Sequence, residues 1–157
     1  MDRGVYYPVP SGSIAISVPT DEDLDFLAAN LRTEDAREVA ESPFNPHGLP
    51  ARQIFEGVKD LPGTRVVKHK GVPFMIVGVL FQGGTAFPWM LGTPAMKSFH
   101  KSIFIESKKW LGQIKQHSPV VFNYFDIRNT THIKWALRMG FRPTKVLLNN
   151  YYLGMIL

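Results

Sequence analysis

The apolar positions of this chain change period several times along its length, and each change marks an element. Ile14, Ala15, Ile16, Ser17 and Val18 alternate as a strand does. Thr20, with Asp23 three residues on, forms a capping-box pattern, and Leu24, Leu27, Ala28 and Leu31 then recur at helical spacing. Thr33 offers a second cap, for a helix over residues 34–41. Pro43, Pro46, Gly48 and Pro50 enforce a loop, and Pro50 stands where a helix over residues 51–61 would begin. Strands follow at 65–69, 73–82 and 85–91, joined by Lys70-Gly71 and Gly83-Gly84, pairs suited to tight hairpin turns. Thr93-Pro94 caps a long helix running to about His117. Phe99, Ile103, Trp110 and Ile114 form its apolar stripe, with Met96, Ser107 and Leu111 beside them and Lys97, Lys101, Lys108 and Lys115 opposite.

The stretch from Val120 to Phe141 is the most informative. Val120, Val121, Phe122, Tyr124 and Phe125 read as a buried strand reaching residue 127. It breaks at Asp126-Ile127-Arg128-Asn129, and a short helix follows with Ile133, Ala136 and Leu137 on one side. Gly140 stands where a helix end requires a left-handed residue, and Phe141 starts the next strand. Residues 145–148, Asn149-Asn150 and 151–157 read as a closing hairpin. Pro8 and Pro10 disfavour regular structure, so residues 1–12 are expected to be an extension and 13–157 a single domain.

Composition narrows the function. A chain of 157 residues, 45% hydrophobic and 12% aromatic, can bury one substantial core and is not of the disordered class. The longest apolar run, from Pro73 to Phe81, is too short to cross a bilayer, and residues 1–12 lack the pattern of a secretory signal. Zero cysteines exclude disulfides, thiolate metal sites and cysteine nucleophiles. His47, His69, His100, His117 and His132 show no metal-ligand spacing, so no metal is expected. The net charge of +5 is uneven: residues 1–61 carry 5 basic and 11 acidic side chains, residues 97–157 carry 10 and 2. The positive half could attract phosphate, nucleic acid or an acidic protein, unless the acidic first third neutralises it within one fold. Trp89, Trp110, Trp135, Phe122, Tyr124 and Phe125 fall mostly on core positions, so packing accounts for them and a nucleic-acid partner is not expected.

The segment from Asn129 to Phe141, with Gly140 eleven residues after the asparagine, resembles the last third of the GNAT (N-acetyltransferase) superfamily. The whole succession of elements over 14–157 is GNAT-like. The resemblance implies an α/β (α+β) fold: a mixed, mostly antiparallel sheet of six or seven strands flanked by helices, splayed between the strands 85–91 and 120–127. Within that fold, LAANLRTEDAREVAES (27–42), PWMLGT (88–93) and the 129–141 segment look like a group of small GNAT-like proteins of short-tailed bacteriophages. That group includes internal virion, or internal core, proteins. It implies virion or host proteins as partners, a place in the virion or the host cytoplasm, and no membrane.

In GNAT enzymes a glycine-rich loop at the start of the long helix cradles the pyrophosphate of acetyl-CoA with backbone N–H groups. The matching positions are Leu91, Gly92, Ala95, Met96 and Lys97, with Asn129 expected to face the thioester. The resemblance thus implies acetyl-CoA as cofactor, yet only one glycine is present and Pro94 contributes no N–H. The tyrosine that many of these enzymes place seven residues after the asparagine is here Ala136, and residues 62–105 hold no Asp or Glu to act as a central-strand base. Glu41, Asp126, His100 and His132 are the substitutes the sequence offers. Asn129 could equally serve only as a helix cap. Two readings stay open: an acyl-CoA N-acyltransferase fold with degraded motifs, its acceptor side lined by residues 27–50, or a non-catalytic virion-associated structural or host-interaction module.

Overall fold

The structure is a computed structural model and describes residues 14–157, so the expected extension at 1–12 lies outside the described residues. The order is β1 (Ile14–Ser17), α1 (Asp21–Asn30), α2 (Thr33–Ala40), α3 (Ala51–Val58), β2 (Arg65–His69), β3 (Val72–Gln82) and β4 (Thr85–Gly92). A 3-10 segment (Pro94–Phe99), α4 (His100–His117), β5 (Val120–Asp126), α5 (Thr130–Met139), β6 (Arg142–Leu148) and β7 (Tyr152–Ile156) complete it. The strands form one seven-stranded sheet ordered β1-β2-β3-β4-β5-β7-β6. All neighbours are antiparallel except β4 and β5, which pair in parallel only at Thr85–Val120 and Ala86–Val121. Beyond those two pairs the strands diverge, which opens the expected splay.

Local chemistry explains most boundaries. The Thr20 hydroxyl accepts from Asp23 N–H while the Asp23 carboxylate accepts from Thr20 N–H, so both halves of the capping box form. Gly140 ends α5 at φ +104°, a left-handed conformation that side-chain-bearing residues resist. The pairs Lys70-Gly71, Gly83-Gly84 and Asn149-Asn150 all have positive φ, as the tight hairpins require.

Several boundaries differ from the sequence reading, four of them for a visible reason. The long helix begins at His100 and not at Pro94, because Thr93 ties down the preceding turn: its hydroxyl takes Ala95 N–H and its carbonyl takes Met96 N–H. That i to i+3 link tightens residues 94–99 into 3-10 form. Thr33 is the first residue of α2; Arg32 holds the cap position without a side-chain bond. α3 ends at Val58, where the Thr64 hydroxyl binds the Val58 carbonyl. β6 starts at Arg142 and carries an irregularity between Pro143 and Leu147.

The sheet has a core on each face. Under α4 and α5 lie Val77, Val79, Met90, Ile103, Trp110, Ile114, Phe125 and Phe141 among others; under α1 and α3 lie Leu24, Leu27, Phe55, Val66 and Ile76. Among the described residues no helix is long and apolar enough to cross a membrane.

Candidate functional site

On the α1–α3 face, the splay between β4 and β5 opens into a groove of about 460 Å³. Alternation along the strands sends Phe87, Trp89 and Leu91 from β4, and Tyr124 from β5, to this side. Phe44, in the proline-rich loop, closes it from above with its ring centroid 5.5 Å from that of Tyr124. Phe122 packs edge-on against Tyr124 at 5.0 Å and faces Phe87 across the splay at 6.4 Å. The loop itself is held by Asn45, whose amide spans the carbonyls of Val39 and Leu49. The lining is therefore mostly aromatic. Among the described residues that line it, Glu38 is the single carboxylate.

Glu38 belongs to a buried polar cluster that the fold assembles from α2 and the start of α5. Asp35 and Glu38 sit one turn apart on α2 and face Asn129 and His132. Asn129 is fully buried. Its amide nitrogen donates to Asp35 Oδ1 and Glu38 Oε2, both at 2.9 Å, while its oxygen caps α5 by accepting from His132 N–H. His132 Nδ1 lies 3.2 Å from Glu38 Oε2 and Nε2 lies 3.8 Å from Asp35 Oδ1. Burial opposes a charge on His132, but the hydrogen bond and charge of Glu38, with the charge of Asp35, outweigh it and raise the pKa above the ordinary histidine value. Tyr152 donates its hydroxyl to the Glu38 carbonyl at 3.0 Å; burial and the charges of Asp126 and Glu38 push its pKa up to about 12, so it stays a neutral donor. Both contacts of the Glu38 carboxylate use Oε2, which leaves Oε1 without a partner among the described residues.

Asp35, Glu38 and His132 also bring ligand atoms within 4.8 Å of one another, a juxtaposition no spacing in the sequence announces. Each imidazole nitrogen faces its own carboxylate, an arrangement that suits a proton on both nitrogens. Glu41 and Asp126 are drawn into a separate cluster: Arg128 clasps Asp126 through two contacts of 2.9 Å, pairs with Glu41, and stacks on Tyr151 at 3.9 Å. His100 is exposed at the start of α4, its ring against the Lys97 carbonyl.

The positions matched to the acetyl-CoA cradle are otherwise engaged. Gly92 N–H donates to Asp35 Oδ2 at 2.8 Å, and the Gly92 carbonyl takes Arg32 N–H at 2.9 Å. Thr93 N–H goes to Phe74, and those of Ala95 and Met96 go to Thr93; Pro94 has none. Gly92 is needed for close approach, since an added Cβ would fall 1.8 Å from Met96 Sδ. The space beside the glycine is thus filled by the protein's own Met96. Further along the splay, Asn123 Nδ2 binds the Pro88 carbonyl at 2.6 Å and bridges β5 to the same edge of β4. Residues 92–96 therefore have no backbone N–H left over for a pyrophosphate in this conformation. Lys97 is exposed at this turn, Leu91 lines the aromatic groove instead, and Ala136 is fully buried in the core beneath α5.

No protein-family model matches the chain, and no curated protein matches it by sequence. Solved structures match its fold. A GNAT-family acetyltransferase from Bacillus anthracis superposes with a TM-score of 0.64 at 13% identity, over 94% of this chain and 95% of that one. The PaiA N-acetyltransferase from Thermoplasma acidophilum, solved in complex with coenzyme A, gives 0.61 at 14% identity, over 92% and 98%. The yncA protein of Salmonella typhimurium, solved with its cofactor acetyl-CoA, gives 0.56 at 17%, over 93% and 94%. At these identities the likeness is one of fold, and the fold is GNAT-like.

Proposed function

We propose that this GNAT-fold protein works through the acceptor side of the splay, binding an amine or other organic cation in the aromatic groove, while its acyl-CoA side is closed by its own groups. One observation carries the reading: every backbone N–H from Gly92 to Met96 is committed within the protein, and Met96 fills the space beside the glycine. The groove has complementary features, with aromatic faces that attract a cation and Glu38 Oε1 as its counter-ion. The resemblance of residues 27–42, 88–93 and 129–141 to small bacteriophage GNAT-like proteins supports a role in the virion or in the host cytoplasm, with virion or host proteins supplying the basic group. Binding without turnover is the first reading.

Acetyl-CoA-dependent N-acetyltransfer is the second, favoured by the retained β4–β5 splay. Calorimetric titration with acetyl-CoA and NMR titration with benzylamine separate them. No heat with acetyl-CoA, together with benzylamine shifts in Tyr124 and Trp89 that Glu38→Gln abolishes, is expected. Micromolar acetyl-CoA binding lost on Lys97→Glu would put the enzyme first.

A further inference from the structure

On the face of the sheet opposite α1 and α3, positive charge accumulates without counter-ions among the described residues. Lys101, Lys108 and Lys115 are exposed and fall on one stripe of α4, because steps of seven residues return to the same helical face, and Lys97 is exposed in the turn before it. The opposite side of α4 is anchored in the core by Ile103, Trp110 and Ile114. α5 lies alongside: Lys108 Nζ and the Arg138 guanidinium sit 5.0 Å and 5.7 Å from the centroid of one ring, that of Phe104. Lys134, one turn before Arg138, is exposed beside it, and so are Arg142 and Lys145 on β6. The two carboxylates of residues 97–157 are spent, Glu106 on Lys109 and Asp126 on Arg128. On the α1–α3 face, by contrast, Asp21, Asp25 and Glu56 are paired with Arg52 and Lys59.

We propose that this α4–α5 face binds the phosphate backbone of a nucleic acid without reading its sequence. The stripe is linear, with its three α4 lysines at steps of about 10 Å on a rod roughly 27 Å long, as a linear polyanion requires. A protein partner fits less well, because the centres of protein interfaces are poor in lysine and rich in apolar side chains. The exposed large apolar residues of the two helices are Ile105 of α4 and Leu137 of α5, against the exposed basic side chains of Lys101, Lys108, Lys115, Lys134 and Arg138. Lys108 and Arg138 both lie against the Phe104 ring and neither pairs with a carboxylate among the described residues, so a phosphate oxygen would supply the missing charge. The contacts are to phosphate and involve no base stacking, so the reading is independent of the core aromatics and of the groove.

The test is fluorescence anisotropy with a short labelled duplex of arbitrary sequence, titrated at several salt concentrations. Log affinity should fall linearly with log salt, by about 0.9 per phosphate neutralised. The triple variant Lys101→Glu, Lys108→Glu, Arg138→Glu should lose more than about tenfold in affinity and flatten the slope by about one per site removed. Lys59→Gln, on the α1–α3 face, should change neither; thermal melting checks that each variant is folded. No binding at low salt, an unchanged slope in the triple variant, or tighter binding to polyglutamate or to phosphatidylserine vesicles than to the duplex would overturn the proposal.

Discussion

Replacing Asp35 with alanine should destabilise the protein far more than its position on a short, surface-lying helix suggests. Asp35 is fully buried and accepts four hydrogen bonds: from Arg32 Nη2 at 2.6 Å, Arg32 Nε at 3.2 Å, Gly92 N–H at 2.8 Å and Asn129 Nδ2 at 2.9 Å. Deleting one partner of a buried ion pair costs about 3–5 kcal/mol, and a buried amide left without an acceptor adds about 1–3. Two features reduce the sum. The Arg32 side chain is 13% exposed and regains some water, and Asn129 Nδ2 keeps Glu38. A net loss of about 4 kcal/mol is expected, a large share of the ~5–15 kcal/mol that holds a domain together. Asp35→Asn keeps the shape and one carbonyl acceptor, so it should lose about half as much. Urea unfolding followed by tryptophan fluorescence measures both. A loss under about 1 kcal/mol for Asp35→Ala would refute the reasoning, since buried donors cannot lose their acceptor so cheaply.

Trp110 is buried beneath α4 in the core of the sheet, and Trp110→Ala should cost roughly 3–5 kcal/mol; a melting temperature within a degree or two of the parent, read by circular dichroism, would mean the residue is not packed as described. His132 should make stability fall as pH rises. Its folded pKa lies above the unfolded value of about 6.5, so its contribution is complete below that pH and is lost as pH climbs through the folded value. Burial of the ring opposes the charge most, Arg32 opposes it less, and Glu38 and Asp35 from α2 outweigh both. Thermal melts from about pH 6 to 9 should slope downward in the parent and flatten in His132→Gln; equal slopes would exclude His132 as the source.

The succession of elements was legible because its signals are local. Thr20 and Asp23 build their capping box across three residues, Gly140 meets its own backbone requirement, and the pairs Lys70-Gly71 and Gly83-Gly84 need only their own φ angles. The resemblance of residues 129–141 and of the element order carried the fold class the same way. Tertiary structure decided the site. Nothing near Asn129 says that its amide is shared between Asp35 and Glu38, 94 and 91 residues earlier. Glu38 escaped notice as a groove residue although its spacing from Asp35 and Glu41 marks one helical face, because only packing shows which face meets α5. The start of the long helix was misplaced for a related reason. Local propensity does not separate a 3-10 turn from the first turn of an α-helix, whereas Thr93, which draws that turn tight, has its own N–H held by the Phe74 carbonyl of β3, a contact made only once the sheet has formed. Backbone preferences act over three or four residues and can be read in order. A site made from groups about ninety residues apart exists only once the sheet has brought their elements together.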